Sequence, residues 1–107
     1  MTPDVKVYEG ARFIEVATVT VDGKALAPRF DLAKLSSTGF EWTYVGAGPA
    51  QLALALLADH LGDDRKALAL HDAFMRAVVA ELDNSWRLTS ADIDTALKEL
   101  EAKPAAR

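Results

Sequence analysis

Apolar and polar residues change period twice along this chain. Residues 16–21, VATVTV, alternate at a period of two, which predicts a strand. Strands are predicted over Val5–Val7 and Phe13–Val21. Val21-Asp22-Gly23-Lys24 is a hairpin signal, because Asp-Gly suits a type I′ turn with positive φ at both central residues. A returning strand follows over Lys24 to Phe30. Pro28 cannot donate to a ladder, so this strand should be an edge or end there. Asp31 to Gly39 reads as a loop, broken by Ser36, Ser37, Thr38 and Gly39. Phe40, Trp42 and Tyr44 alternate with polar residues and predict a further strand near 40–45.

From Pro49 the pattern turns helical. QLALALLADHL is apolar on nearly every side, so a helix over 49–61 must be buried. Pro49 suits a first helical turn and Gly62 a left-handed C-cap. A second helix is expected over Asp64 to Leu82, with Ala67, Leu70, Phe74, Val78 and Leu82 as its inner stripe. Asp63 and Asp64 lie where its macrodipole favours negative charge. Trp86-Arg87-Leu88 is a short extended piece. Thr89-Ser-Ala-Asp92 resembles a capping box with Asp in place of Glu. It opens a third helix over about 90–102, apolar at Ile93, Ala96, Leu97 and Leu100. The tail from Lys103 should fray. Strands then helices give an α+β fold. A small, mainly antiparallel sheet, made of the N-terminal hairpin and the 40–45 strand, should pack on the buried 49–61 helix. The other two helices should surround that helix.

With 107 residues the chain suits one domain, 1–107. Half its residues are hydrophobic and 26% are charged, a globular balance. There is no cysteine, which removes disulfides, thiolate metal sites and thiol nucleophiles and fits a reducing compartment. MTPDVKVYEG lacks the apolar core of a signal peptide. The longest apolar run, Leu52–Ala58, is far short of the ~20 residues that span a bilayer. A soluble, cytoplasmic protein without membrane partners is expected. The net charge of −4 argues against unaided nucleic-acid binding, where Lys and Arg must neutralise phosphate.

Candidate chemistry is sparse. The hinge Gly46-Ala47-Gly48-Pro49 can present N–H groups to an anion at a helix start. A Walker loop, however, needs a following Lys and Ser/Thr. A dinucleotide fingerprint needs a third glycine where Gln51 stands. Pro49 also removes an N–H, so a tight, closely packed turn is the expected role. Gln51 can contact a ligand or partner, or satisfy a loop carbonyl, the commoner role. Asp59-His60 and His71-Asp72 are adjacent pairs that point apart on a helix, and no HExxH spacing exists. A two-His metal site with Asp59 or Asp63 is conceivable, but structural histidines are expected. The carboxylates, Asp59 to Asp94, lack EF-hand spacing, and Ser36, Ser37 and Ser85 lack a GxSxG context. Hence no catalytic residue, metal or cofactor is assigned. Phe40, Trp42 and Tyr44 would share one strand face. That face is core if a helix covers it, and otherwise an exposed row for a partner or for stacking bases.

The stretch Phe40–Leu97 resembles an uncharacterised family, domain of unknown function number 6166, found among bacteria, their phages and plasmids. The shared pattern is Phe40, Trp42 and Tyr44; Gly46, Gly48, Pro49, Ala50, Gln51 and Leu52; Phe74; and Trp86, Leu88 and Thr89. Where the family pattern often has Gly, this chain has Thr43 and Val45, and Ala47 replaces Ser. Losing that hydroxyl weakens a phosphate-binding reading. The resemblance implies no catalytic residues. It does imply a mobile-element setting, and with the poor catalytic inventory it favours a non-catalytic module. Such a module would dock on, and inhibit, a host or phage protein such as a defence-system component. Trp42, Tyr44, Gln51, Arg12 and Arg29 are its candidate contact residues. The alternatives are a nucleic-acid-binding accessory protein and a small enzyme using His/Asp chemistry. A stripe of Arg12, Lys24, Arg29, Lys34, Arg65 and Arg76 would favour the first. A deep pocket holding His60 or His71 with carboxylates would favour the second.

Overall fold

The computed structural model describes residues 5–14 and 16–102; the predicted fraying tail lies outside them. The chain forms β1 (Val7–Phe13), β2 (Val16–Val21), β3 (Lys24–Ala25), α1 (Ala47–Leu61) and α2 (Asp64–Ala77). A 3-10 turn (Val79–Glu81), β4 (Ser85–Thr89) and α3 (Ser90–Ala102) complete it. The α+β expectation holds. The four strands make one antiparallel sheet in the order β3-β2-β1-β4.

Register divides the sheet into two faces. Tyr8 lies opposite Val21 and Leu88, and Gly10 opposite Val19 and Trp86. These residues face the helices, and Tyr8, Val19 and Trp86 join the core. Glu9, Ala11 and Phe13 alternate onto the outer face, which is exposed. α1 is buried as its composition demands: Leu52, Leu54, Leu56 and Leu57 are fully enclosed. It packs along α2 and, through Tyr8, reaches the inner sheet face.

Local signals account for several boundaries. Asp22 (φ 51°) and Gly23 (φ 82°) make the expected primed turn. Gly62 caps α1 in the left-handed region, its N–H donating to the Ala58 carbonyl. Asp63 caps α2 by accepting from the Lys66 N–H. The Thr89 capping box forms in both directions: Asp92 N–H donates to Thr89 Oγ1, and Thr89 N–H donates to Asp92 Oδ2.

Four expectations need correction. There is no strand at 40–45, because Thr43 adopts φ 83° and turns the chain out of the extended region. The fourth strand is β4, read in the sequence only as a short extended piece. The predicted Val5–Val7 and Phe13–Val21 strands are instead β1 and β2, folded back at Ile14 (φ 58°). The returning strand is only Lys24–Ala25, prolonged by one bond from Leu26 N–H to the Val19 carbonyl, before Pro28 and Arg29 (φ 59°) divert it. The second helix stops at Ala77, five residues early. Val78 leaves helical geometry, and the tighter 3-10 turn buries Val79.

Candidate functional site

The sequence-selected contact residues fall into separate places. Arg12 leaves β1 on the inner face and lies over the Trp42 ring, its guanidinium carbon 4.7 Å from the ring centre. It donates to Asn84 Oδ1 (2.5 Å), Glu41 Oε1 (2.6 Å) and the Trp42 carbonyl (3.3 Å). Trp42 is fully buried, donates from Nε1 to the Asn84 carbonyl (3.2 Å) and meets Trp86 edge-on at 5.8 Å. Arg12 and Trp42 are thus engaged with the protein itself. The Trp86 ring lies against Gly10, and its Nε1 is buried without a partner among the described residues.

Gln51 is buried, and its amide clamps the 28–36 loop. Oε1 accepts from the Leu35 (2.7 Å) and Ser36 (3.1 Å) N–H groups, while Nε2 donates to the Pro28 (2.8 Å) and Ala33 (3.0 Å) carbonyls. Both donors and both acceptor sites are filled. The neighbouring hinge is closed by packing. A Cβ on Gly48 would sit 2.7 Å from Glu41 Cβ, and one on Gly46 2.7 Å from the Tyr44 ring. The glycines serve close approach, Gly48 to the Glu41 side chain and Gly46 to the Tyr44 ring. Tyr44 itself is 48% exposed.

Arg29 bonds Asp31 through Nε and Nη2 (both 3.0 Å) and Asp64 through Nη2 (3.1 Å). Those bonds push the guanidinium further up and hold the Asp31 carboxyl below its usual range. Arg76 pairs with Asp72 at 3.0 Å. Three of the six cations of the proposed basic stripe are therefore matched to carboxylates. His60 Nε2 meets Asp94 Oδ1 at 2.6 Å, tying α1 to α3, and His71 Nδ1 bonds the Leu68 carbonyl at 2.7 Å. Among the described residues no metal-holding group of three or more His, Asp or Glu is gathered. None of their helices is long and apolar enough to cross a membrane.

Two features escaped the sequence reading. The first is an apolar tip where β1 turns into β2. Phe13 (76% exposed), Ile14 (82%) and Val16 (64%) project there, with Phe13 and Val16 paired across the outer face. Beside them Glu9, Ala11, Thr18, Thr20 and Ser85 line a shallow trough of about 390 Å³. Phe13-Ile14 was visible as an apolar pair, but only the register reveals that it faces solvent.

The second is a polar cluster under α1. Tyr8 donates to Asp59 Oδ2 at 2.7 Å, and Lys6 Nζ reaches the same oxygen at 3.2 Å. Burial first, then the bond to Asp59 and the Asp59 and Asp22 charges, push the Tyr8 hydroxyl far above its ordinary 10.0. The folded state keeps this proton where the unfolded state has lost it. This contribution to stability is intact below the ordinary value and declines as pH rises above it. A urea-midpoint series from about pH 9 to about pH 11 should fall for the wild type and fall less for Tyr8→Phe. Parallel slopes would show that Tyr8 is not the group responsible.

No curated protein and no solved structure matches this chain. The model of one family matches residues 8–99, taking in β1, the Gln51 clamp, the Trp42–Trp86 contact and most of α3. The chain belongs to that family, a family of unknown function (DUF6166).

Proposed function

We propose that this protein is a non-catalytic interaction module of the cytoplasm that docks on another protein through its outer sheet face. The observation that carries this reading is the solvent-facing run of Phe13, Ile14 and Val16 at the tip of the β1–β2 hairpin. Exposed apolar side chains gathered beside a shallow trough are a feature of partner surfaces. The same face carries Glu9 and Arg87, 3.9 Å apart, which supply a polar rim. A partner that covers the tip removes its apolar area from water, worth roughly 25 cal/mol per Å² before the costs of association. A host protein is the partner class this reading names, with inhibition as its consequence.

The test is a tagged pull-down from the native host, read by mass spectrometry, beside a Phe13→Ser/Val16→Thr variant. These exposed substitutions should leave stability within about 0.5 kcal/mol. The expected result is a specific protein captured by the wild type and lost in the variant. Capture unchanged by the substitutions would refute this docking face. Salt-sensitive retention of DNA or RNA without a specific protein would favour the nucleic-acid alternative.

A further inference from the structure

On the opposite side of the sheet, a cleft of about 190 Å³ opens between the β2–β3 end and α1. Val21, Leu26 and Ala55 give it apolar walls, and Asp59 and Arg29 its polar groups. Its volume matches on the order of six water-sized groups. Both Tyr8 and Lys6 bond Oδ2 of Asp59, and among the described residues nothing bonds Oδ1. The Asp59 side chain is 30% exposed and lines the cleft, so its second oxygen is open to a donor that enters beside the small apolar side chains.

The charges select the ligand. Arg29 is already bonded to Asp31 and Asp64, so an added anion would meet two carboxylates beside that guanidinium. Three carboxylates, Asp59, Asp31 and Asp64, stand against two cations, Lys6 and Arg29. One negative charge is left over. A bare metal ion would gain a single carboxylate and apolar walls, a poor ligand set for a hard cation.

We infer that this cleft binds a small organic cation, a primary alkylammonium. Its nitrogen donates to Asp59 Oδ1, and its short chain lies against Leu26 and Ala55. Charge assistance shortens and strengthens the N–H···O contact, and the chain replaces water on the apolar walls. Lys6 competes for the same carboxylate, which sets the affinity in a weak range. The site is independent of the docking face.

Amide NMR titration of the whole chain with n-butylammonium chloride tests the inference, with potassium chloride, sodium butyrate and 4-aminobutyrate as comparators. The expected result is saturable shifts at Leu26, Ala27 and Ala55 with n-butylammonium and none with butyrate. Asp59→Asn should weaken binding at least about tenfold, and Lys6→Gln should tighten it. Shifts that do not saturate, or that match those of potassium chloride, would overturn the inference. So would equal binding by Asp59→Asn, or tighter binding of 4-aminobutyrate, which would assign Arg29 a ligand carboxylate. Should Asp59→Asn fail to fold, Lys6→Gln decides, and binding no tighter than wild type overturns the inference.

Discussion

A Gly10→Ala variant is expected to lose roughly 3 kcal/mol of stability, at the upper end of ordinary overpacking. The added Cβ would lie 2.3 Å from Trp86 Cε2 and 2.4 Å from its Nε1, far inside contact distance. The indole has little room to retreat. It meets Trp42 edge-on, and Trp42 in turn lies beneath the Arg12 guanidinium. Either the indole leaves its rotamer or β1 and β4 move apart, and both disturb the core. Gly23 is the comparison position. It has φ 82° but an added Cβ there meets nothing within 4 Å among the described residues, so Gly23→Ala should cost only about 1–2 kcal/mol of backbone strain. A Trp86→Leu change should absorb part of the Gly10→Ala loss, so the two together should be less than additive. Urea midpoints of the four variants settle the matter. A Gly10→Ala cost below about 0.5 kcal/mol would mean that Trp86 does not lie across from Gly10.

Trp86 also shows what the sequence does and does not reveal. The α1 helix was legible because Leu52–Ala58 leaves no polar face and Gly62 stops it. The Asp22-Gly23 turn and the Thr89–Asp92 box were legible because each is a local exchange of two or three hydrogen bonds. The pairing of β4 with β1 was not. It joins Trp86 to Gly10 across the length of the chain, and the polar–apolar alternation of SWRLT marks a strand without naming its partner. Phe40–Tyr44 misled for the converse reason. Its alternation is real in the sequence, but Thr43 at φ 83° breaks the extended geometry, so Trp42 is buried while Tyr44 is exposed. The β1–β2 turn has no Gly, Pro, Asn or Asp between Phe13 and Val16, so it carried no turn signal. Candidate sites suffered most. The Arg12 and Arg29 charges were visible, but Glu41 and Asp64 are brought to them by tertiary structure, while Asp31 is a local partner of Arg29. The carboxylate of Asp59 acquires meaning only once Tyr8 and Lys6 arrive from β1 and the residues before it.

Gln51→Leu is expected to have the largest effect of all, roughly 3–5 kcal/mol, because one side chain closes four hydrogen bonds. Leucine nearly matches glutamine in size, so the loss measures polar satisfaction rather than a cavity. Two N–H groups, of Leu35 and Ser36, and two carbonyls, of Pro28 and Ala33, would lose their partner at once. Some would recover water by opening the 28–36 loop, which limits the loss below the sum of four separate penalties. Gln51→Glu separates donors from acceptors. It keeps both bonds accepted by Oε1, loses both bonds donated by Nε2, and brings a charge into a buried site, so it should be comparably harmful at neutral pH. Hydrogen exchange gives the local readout: the Leu35 and Ser36 amides should lose protection in Gln51→Leu before the α1 amides do. Unchanged stability would instead mean that Gln51 is free for a ligand, as one reading of its place in the first helical turn allowed. The loop it holds also carries Arg29 to Asp64, and Arg29 lines the Asp59 cleft. Releasing the clamp should therefore loosen one wall of the cleft as well as the fold, which makes Gln51 a positioning residue for a surface it does not line.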